Sequence, residues 1–168
     1  MFTGALAASH YGTPRTTTDV DIIVKIAREN VQTGLISALK DAKLQVNEKR
    51  IEVALKSDYR IVTFKDSKTP LTVDIILSDE KLEKKNGIIL DLPTFYQTPE
   101  DLILSKLRMI KATVSREKAL KDEEDIRAIL RFTRVDLNAV KRHARKNGTT
   151  SILKALAANK PHKETKHS

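Results

Sequence analysis

The chain has 168 residues, with 40% hydrophobic and 32% charged residues, and a formal net charge of +9. This composition is typical of a folded globular protein and not of a disordered chain, and the length suits one domain or a small core with an appended part. Because there is no cysteine and no apolar run of roughly 20 residues, disulfides, thiolate metal sites and membrane spans are excluded, and we expect a cytoplasmic protein.

The first half of the chain has the pattern of a small α/β core. Small residues from Gly4 to Gly12 predict a short helix that is entered by a turn at Gly4. β-rich residues at 19–24, 60–64 and 71–77 predict three strands. Apolar residues at helical spacing predict a helix over 28–42. The segment 81–86 is charged and predicted to be exposed, and a short edge strand is expected near residues 88–90.

The pattern changes at Pro93. The sequence Thr98-Pro99-Glu100-Asp101 is typical of a helix start, with a capping hydroxyl, a proline in the first turn and acids near the positive helix end. Apolar periodicity predicts further helices from residue 121 to a stop at Asn147-Gly148, and from 151 to 158. The predicted fold class is therefore α/β (α+β), a small mixed β-sheet core flanked by helices and followed by a helical C-terminal part. The predicted division is 1–93 for the core, 94–158 for the helical part and 159–168 for a flexible basic tail.

Positive charge is concentrated in the second half. Residues 1–100 hold 14 basic and 14 acidic side chains, whereas residues 101–168 hold 17 and 8. This asymmetry favours a polyanionic partner such as RNA for the helical part. Helices with solvated, lysine-rich faces explain the same asymmetry equally well. The cluster Arg142, His143, Arg145 and Lys146 has the same two interpretations.

Three aspartates interrupt the predicted strands. Residues i and i+2 of a strand point to the same face, so Asp19 and Asp21 project together, away from Val20 and Ile22. Asp74 likewise points away from its apolar neighbours in the strand 71–77. Aspartate is depleted in strands, and neighbouring carboxylates repel each other, so a cation that neutralises them would explain the pattern.

An all-oxygen ligand set suits Mg²⁺ or Mn²⁺, and such ions take further ligands from the phosphates of a substrate. The sequence therefore predicts a divalent metal site at Asp19, Asp21 and Asp74, with Asp74 nearest to an incoming hydroxyl. The alternative is that the aspartates are exposed or form ion pairs with some of the many lysines, because an Asp-x-Asp pair is common.

Residues upstream of the aspartates extend the candidate site. A glycine turn that opens a helix offers backbone N–H groups to phosphate oxygens, and Arg15 could add a bidentate contact. The segment from Gly4-Ala5 through Arg15-Thr16-Thr17-Thr18 to Asp19-Val20-Asp21 resembles the first motif of the DNA polymerase β-type nucleotidyltransferase superfamily. Within it, the chain is most similar to the small prokaryotic group of minimal nucleotidyltransferases and AbiEii-like toxins. Thr72-Val73-Asp74 resembles that group's third-carboxylate strand, and segments 99–107 and 121–125 resemble its helical motifs.

The resemblance implies a nucleoside triphosphate, most simply ATP, with Mg²⁺ as cofactor. It implies that Asp19, Asp21 and Asp74 are metal ligands and catalytic residues. It also implies nucleotide-binding roles for a further set of residues: Gly4, Ala5, Arg15, Thr18, Lys106 and Asp122. For Lys106 and Asp122 a structural role is equally open, either as a lysine beside an apolar stripe or as a helix-capping or ion-pairing acid near Lys118 and Lys121.

Two departures from the family pattern stand out. Ala5 replaces a residue that is often Gly or Ser, which removes a hydroxyl but keeps the backbone donors. In the family a strand runs into the glycine, whereas only Met1-Phe2-Thr3 precede Gly4 here. We expect either that a longer protein contains this segment or that the sheet lacks a strand and dimerises to cover the exposed edge.

Three functions remain open at this point. The first is a metal-dependent transfer of a nucleotidyl group from a nucleoside triphosphate to a hydroxyl on RNA, such as tRNA, or on a protein. The second is a toxin–antitoxin component that binds a protein or RNA partner with little or no turnover. The third is a basic RNA-binding domain, whose salt-dependent affinity would ignore the aspartates.

Overall fold

The computed structural model describes residues 1–42, 45–57, 60–65, 69–79 and 81–158. The fold is of the mixed α+β class, as predicted. The chain forms two compact units, which we call the sheet unit (residues 1–7 and 15–97) and the helical unit (residues 8–14 and from Thr98 onward). The boundary that the sequence places after residue 93 falls four residues before this one. The predicted basic tail at 159–168 lies outside the described residues.

The sheet unit is built on three strands, which follow a short helix, α1 (Gly4–Tyr11). The strands are β1 (Asp19–Lys25), β2 (Ile61–Lys65) and β3 (Thr72–Ser78), and all three were predicted from the sequence to within about one residue. β3 lies in the centre, parallel to β1 and antiparallel to β2. The connection at 66–68, predicted as part of a turn, lies outside the described residues.

One face of this sheet is covered by helices. The predicted helix at 28–42 is helical, although it begins as a 3₁₀ turn (Arg28–Asn30) and a wider π-type turn (Val31–Ile36) before α2 (Ser37–Asp41). α3 (Glu48–Lys56) follows, with the Asn47 side chain accepting a hydrogen bond from Arg50 N at 3.2 Å. The core between helices and sheet is apolar: Val31, Leu35, Ile36, Leu39, Ile51, Ala54, Val62, Phe64, Ile75 and Leu77.

A hairpin of β4 (Lys84–Ile89) and β5 (Leu92–Gln97) completes the sheet unit. The exposure predicted for 81–86 is confirmed at Lys84, Lys85 and Asn86, although these residues are strand. Residues 94–97, which the sequence placed in the helical part, are strand as well. Pro93 was misleading: a proline is tolerated near the start of a strand, so it does not by itself end a sheet. The two-residue turn, Leu90 and Asp91, has φ angles of 48° and 64°, which glycine or asparagine adopts more readily.

Residues Met1–Thr3 connect the hairpin to β1. The Phe2 backbone donates to Phe95 O at 2.8 Å and accepts from Gln97 N at 2.9 Å, while Thr3 N donates to Asp21 O at 3.0 Å. Thr3 and Gln97 are both buried, and the Thr3 hydroxyl donates to Gln97 Oε1. Three residues thus occupy the position at which the resemblance implies a strand, and they cover the edge of β1 that the sequence led us to expect exposed.

The helical unit contains α4 (Pro99–Ala112), α5 (Arg116–Phe132), α6 (Leu137–Lys146) and α7 (Thr150–Ala158). The predicted start of α4 is confirmed, since the Thr98 side chain accepts from Asp101 N at 3.3 Å. α5 begins five residues earlier than predicted, because Ser115 caps it by accepting from Lys118 N. No helix among the described residues is long and apolar enough to cross a bilayer.

Candidate functional site

The three aspartates lie on one face of the sheet. β1 and β3 pair in register, with Asp21 opposite Asp74 and Asp19 opposite Thr72. Because paired residues of neighbouring strands point to the same side, the three carboxylates share a face. It is the face away from the helices, since Ile75 and Leu77 of β3 are buried in the core. We call it the carboxylate face.

Threonine hydroxyls hold two of these carboxylates. Thr63 of β2 is the antiparallel partner of Asp74, and its Oγ1 donates to Asp74 Oδ1 at 2.5 Å. Thr72 Oγ1 donates to Asp19 Oδ1, also at 2.5 Å. Among the residues that the structure describes, neither of these two aspartates has a lysine or arginine within ion-pair distance. The hydroxyls fix the orientation of the carboxylates while leaving their negative charge uncompensated.

Gly4 lies directly against the third carboxylate. Its φ of +58° is in the left-handed region, which favours glycine. A Cβ atom at residue 4 would overlap Asp21 Oδ2 and lie 2.6 Å from Asp21 Cγ. Gly4 is also the first residue of α1, so the Asp21 carboxylate lies at the end of a helix whose first backbone N–H groups have no partner within the helix.

The other upstream residues predicted for the site have different surroundings. Ala5 is buried, with 6% of its surface exposed, so it can contribute only through its backbone. Arg15 and Thr18 are exposed. Thr18 continues the pairing of β1 with β3, because its carbonyl accepts from Thr72 N at 2.9 Å.

The donor set on the carboxylate face fits a hard divalent cation. It consists of carboxylate oxygens on two adjacent strands, which are about 4.8 Å apart in any sheet. The described residues hold no ready-made cluster of three or more acidic, histidine or cysteine ligands. Mg²⁺ sites typically combine one or two protein carboxylates with waters and substrate phosphates, so the two adjacent carboxylates of Asp21 and Asp74 are a sufficient protein contribution.

Lys106 and Asp122, predicted to bind nucleotide, contact each other inside the helical unit. Lys106 Nζ on α4 lies 2.7 Å from Asp122 Oδ1 and 2.8 Å from Asp125 Oδ2, both on α5. Lys106 and Asp125 are buried, with 5% and 6% of their surfaces exposed. Neither of the suggested partners, Lys118 and Lys121, takes part: Lys121 pairs with Glu117 instead. The nucleotide contacts of Lys106 and Asp122 remain predictions, whereas their ion pair is a structural fact.

No protein-family profile matches this chain, and no curated protein matches it. The functional argument therefore depends on the geometry of the carboxylate face and on the motif resemblance.

Sequence reasoning missed the threonines of the carboxylate face. Thr72 could have been predicted, because it lies two residues before Asp74 in the same strand and so must share its face. Thr63 was not, because its place beside Asp74 depends on the register of β2 against β3. Asp125 lies in the segment 121–125 that resembles a helical motif, but no sequence signal paired it with a lysine on another helix.

Proposed function

We propose that the sheet unit is a metal-dependent nucleotidyltransferase, which moves a nucleotidyl group from a nucleoside triphosphate to a hydroxyl. One observation carries the proposal: Asp21 and Asp74 lie side by side on the carboxylate face, and Gly4 at the start of α1 abuts Asp21. A metal–triphosphate complex needs N–H donors for its phosphate oxygens close to carboxylates that hold its cation, and this closeness supports the proposal.

The triphosphate would lie at the start of α1. Backbone N–H groups at a helix N-terminus attract anions, and the left-handed Gly4 brings that backbone into contact with Asp21 without an intervening side chain. This closeness supports a site that combines donors for phosphate oxygens with acceptors for a cation. The proposal gives Gly4 and Ala5 backbone roles and gives exposed Arg15 a phosphate contact by its guanidinium.

Asp19, Asp21 and Asp74 would hold Mg²⁺ or Mn²⁺. The cation would supply charge neutralisation at the α-phosphate and lower the pKa of the attacking hydroxyl. We assign acceptance of the proton of that hydroxyl to Asp74, whose carboxylate is oriented by the hydrogen bond that its Oδ1 accepts from the Thr63 hydroxyl. The acceptor oxygen would then bond to the α-phosphorus. The bond between the α-phosphorus and the oxygen that bridges it to the β-phosphorus would break, and pyrophosphate would leave.

The test is transfer of label from an α-³²P nucleoside triphosphate to RNA or protein in a cell extract, with Mg²⁺ present. We expect labelled product from the native protein, and a loss of at least about 100-fold in Asp74→Asn and in Asp19→Asn, the scale on which removal of a charge-stabilising or proton-accepting group acts. Chelation of Mg²⁺ should abolish the product, and the nature of the labelled species identifies the acceptor.

Asp41→Asn is the matched control, because Asp41 is an exposed aspartate at the end of α2 in the same unit. It removes the same charge by the same change of one atom and should keep full activity. Equal activity in all three variants would disprove the role of the carboxylate face.

A further inference from the structure

The charge in α6 and α7 has one sign. Residues 137–158 contain five Lys and Arg and no Asp or Glu. Four of the five are on α6, and all four are exposed: Lys141, Arg142, Arg145 and Lys146. We call these four residues the α6 basic stripe.

Helix geometry makes the stripe continuous. Residues three and four apart are neighbours on a helix surface, which links Lys141 to Arg145 and Arg142 to both Arg145 and Lys146. The opposite side of α6 is the apolar one, since Val140 and Ala144 are completely buried. Beyond the C-terminal end of the stripe, Lys111 Nζ of α4 donates to Asn147 O at 3.1 Å and adds a fifth positive charge nearby.

Among the described residues, the stripe has few acidic neighbours. Of the described carboxylates, none lies within ion-pair distance of its four side chains, although other exposed cations of the helical unit are paired, as Lys121 is with Glu117 at 2.7 Å. Asp136, the acid closest in sequence, caps α6 by accepting hydrogen bonds from Asn138 N and Ala139 N, and the charge of Arg142 contributes, after those hydrogen bonds, to lowering its pKa.

A purely structural role does not account for the stripe. Cations near a helix C-terminus are favourable by a few tenths of a kcal/mol to about 1 kcal/mol, and one or two suffice. Here Lys141–Arg145 and Arg142–Lys146 are like-charge pairs at i, i+4, which destabilise a helix. A helix that keeps two such repulsions, with Asp136 at its N-terminus as the nearby acid in sequence, is suited to a ligand that supplies more negative charge.

The ligand chemistry follows from the stripe's surroundings. A membrane surface is disfavoured, because a helix that lies in a bilayer interface inserts its apolar face, and that face of α6 is packed inside the protein. Two arginines and two lysines suit phosphate groups, to which the guanidinium binds bidentately. We propose that the α6 basic stripe binds the phosphodiester backbone of RNA. The choice of RNA over DNA rests on the proposed function, since RNA offers 2′-hydroxyls as well as a terminal 3′-hydroxyl as acceptors, whereas DNA offers the terminal one alone.

The first test is fluorescence anisotropy with a fluorescein-labelled RNA hairpin, without metal or nucleotide, at several salt concentrations. The variant replaces all four stripe residues by glutamine, which removes the charge and keeps helix propensity. We expect affinity near 0.1 M salt to fall at least about tenfold, and the slope of log K against log salt to become shallower by about 3, since each lost phosphate contact removes about 0.7–0.9.

The matched control replaces four exposed cations on the other helices of the same unit by glutamine: Arg108, Arg116, Lys118 and Lys121. It removes the same net charge, so affinity within about threefold of the native value would locate binding at α6. Equal losses in the two variants would overturn the proposal, because they would reflect net charge alone. Competition by polyglutamate or duplex DNA as effective as that by RNA would also overturn it.

A second measurement uses the native protein and so does not depend on whether the variant folds. Bound RNA should protect Lys141 and Lys146 from acetylation and leave Lys118 and Lys121 reactive, as read by mass spectrometry. Unprotected stripe lysines at saturating RNA would refute the stripe as the binding surface. Asp74→Asn separates the two proposals: RNA binding retained by this variant, whatever its transfer activity, leaves the stripe intact, and failure of transfer in the native protein leaves the binding result unaffected.

Discussion

The chain contains two groups of aspartates, and they have opposite surroundings. In the helical unit, Asp122 and Asp125 share Lys106 at 2.7 and 2.8 Å, and Lys106 and Asp125 are buried. On the carboxylate face of the sheet unit, Asp19 and Asp74 are bound by the neutral hydroxyls of threonines on neighbouring strands. One group is compensated by the protein, and the other is oriented but not compensated.

We therefore expect the aspartates of the helical unit to matter for stability and those of the carboxylate face to matter for the proposed function. A buried ion pair constrains the protein, because removal of one partner leaves a charge in a poorly solvated place. Carboxylates on an accessible face contribute little to folding and repel each other, and the cation proposed above would offset that repulsion. The predictions below test this separation in order of expected effect.

The largest effect on stability is expected at the buried ion pair. Lys106→Met should lower the free energy of unfolding by about 3–5 kcal/mol, the usual result of leaving a buried charge without its partner. Urea denaturation followed by circular dichroism measures it. The matched variant Lys106→Met with Asp122→Asn and Asp125→Asn removes all three charges and should recover much of the loss. A loss in the triple variant as large as in the single one would mean that packing, and not charge, holds the site.

The next effect is expected at the turn before α1. Gly4→Ala should cost about 2 kcal/mol or more, because an alanine at φ +58° is strained by about 1–2 kcal/mol and its Cβ would also overlap the Asp21 carboxylate. Nucleotide binding should fall with it. Gly34→Ala is the control, since its Cβ would meet only Ile26 Cδ1, at an ordinary 3.5 Å. Equal unfolding free energies for the two variants would contradict the close approach of Gly4 to Asp21.

A smaller change in stability is expected on the carboxylate face. Asp74→Asn should change the free energy of unfolding by less than about 1 kcal/mol, or raise it, because it relieves repulsion from Asp21 across the strand pair. The same variant should lose transfer activity. Destabilisation on the scale of Lys106→Met would show that Asp74 is a structural acid like Asp125.

The smallest effect concerns the N-cap of α6 and depends on pH. The backbone N–H of Ala139, and next that of Asn138, holds the pKa of Asp136 below its usual value. A lowered folded-state pKa adds stability above the unfolded pKa, near 4, and this is lost as the pH falls through the folded value. Asp136→Ala should therefore lower the urea midpoint at pH 7, and the difference should shrink below about pH 4. A difference independent of pH would point to packing instead of charge.

Much of the fold and part of the site followed from local patterns. Strand parity placed Asp19, Asp21 and Asp74 correctly on the polar side, because the side-chain period of a strand is fixed. The side chains that contact these aspartates depend on strand register, which local sequence does not encode. Thr63 contacts Asp74 because the register of β2 against β3 pairs these two residues.

The errors have the same physical origin. Pro93 was interpreted as the end of the sheet, yet β5 continues to Gln97, held by hydrogen bonds to Phe2 from the other end of the unit. The buried ion pairs of Lys106 with Asp122 and Asp125 on a different helix were likewise not predicted from the sequence. Both outcomes are set by contacts distant in sequence, which periodicity and capping signals cannot report.

The most direct test of the carboxylate face is a titration of Mn²⁺ by electron paramagnetic resonance, in the presence and absence of a non-hydrolysable nucleoside triphosphate analogue. We predict that the native protein and Asp41→Asn bind Mn²⁺ with the analogue, and that affinity falls at least about tenfold in Asp21→Asn and Asp74→Asn, which lose a charged ligand. Unchanged Mn²⁺ binding in these two variants, with the fold intact, would contradict the account.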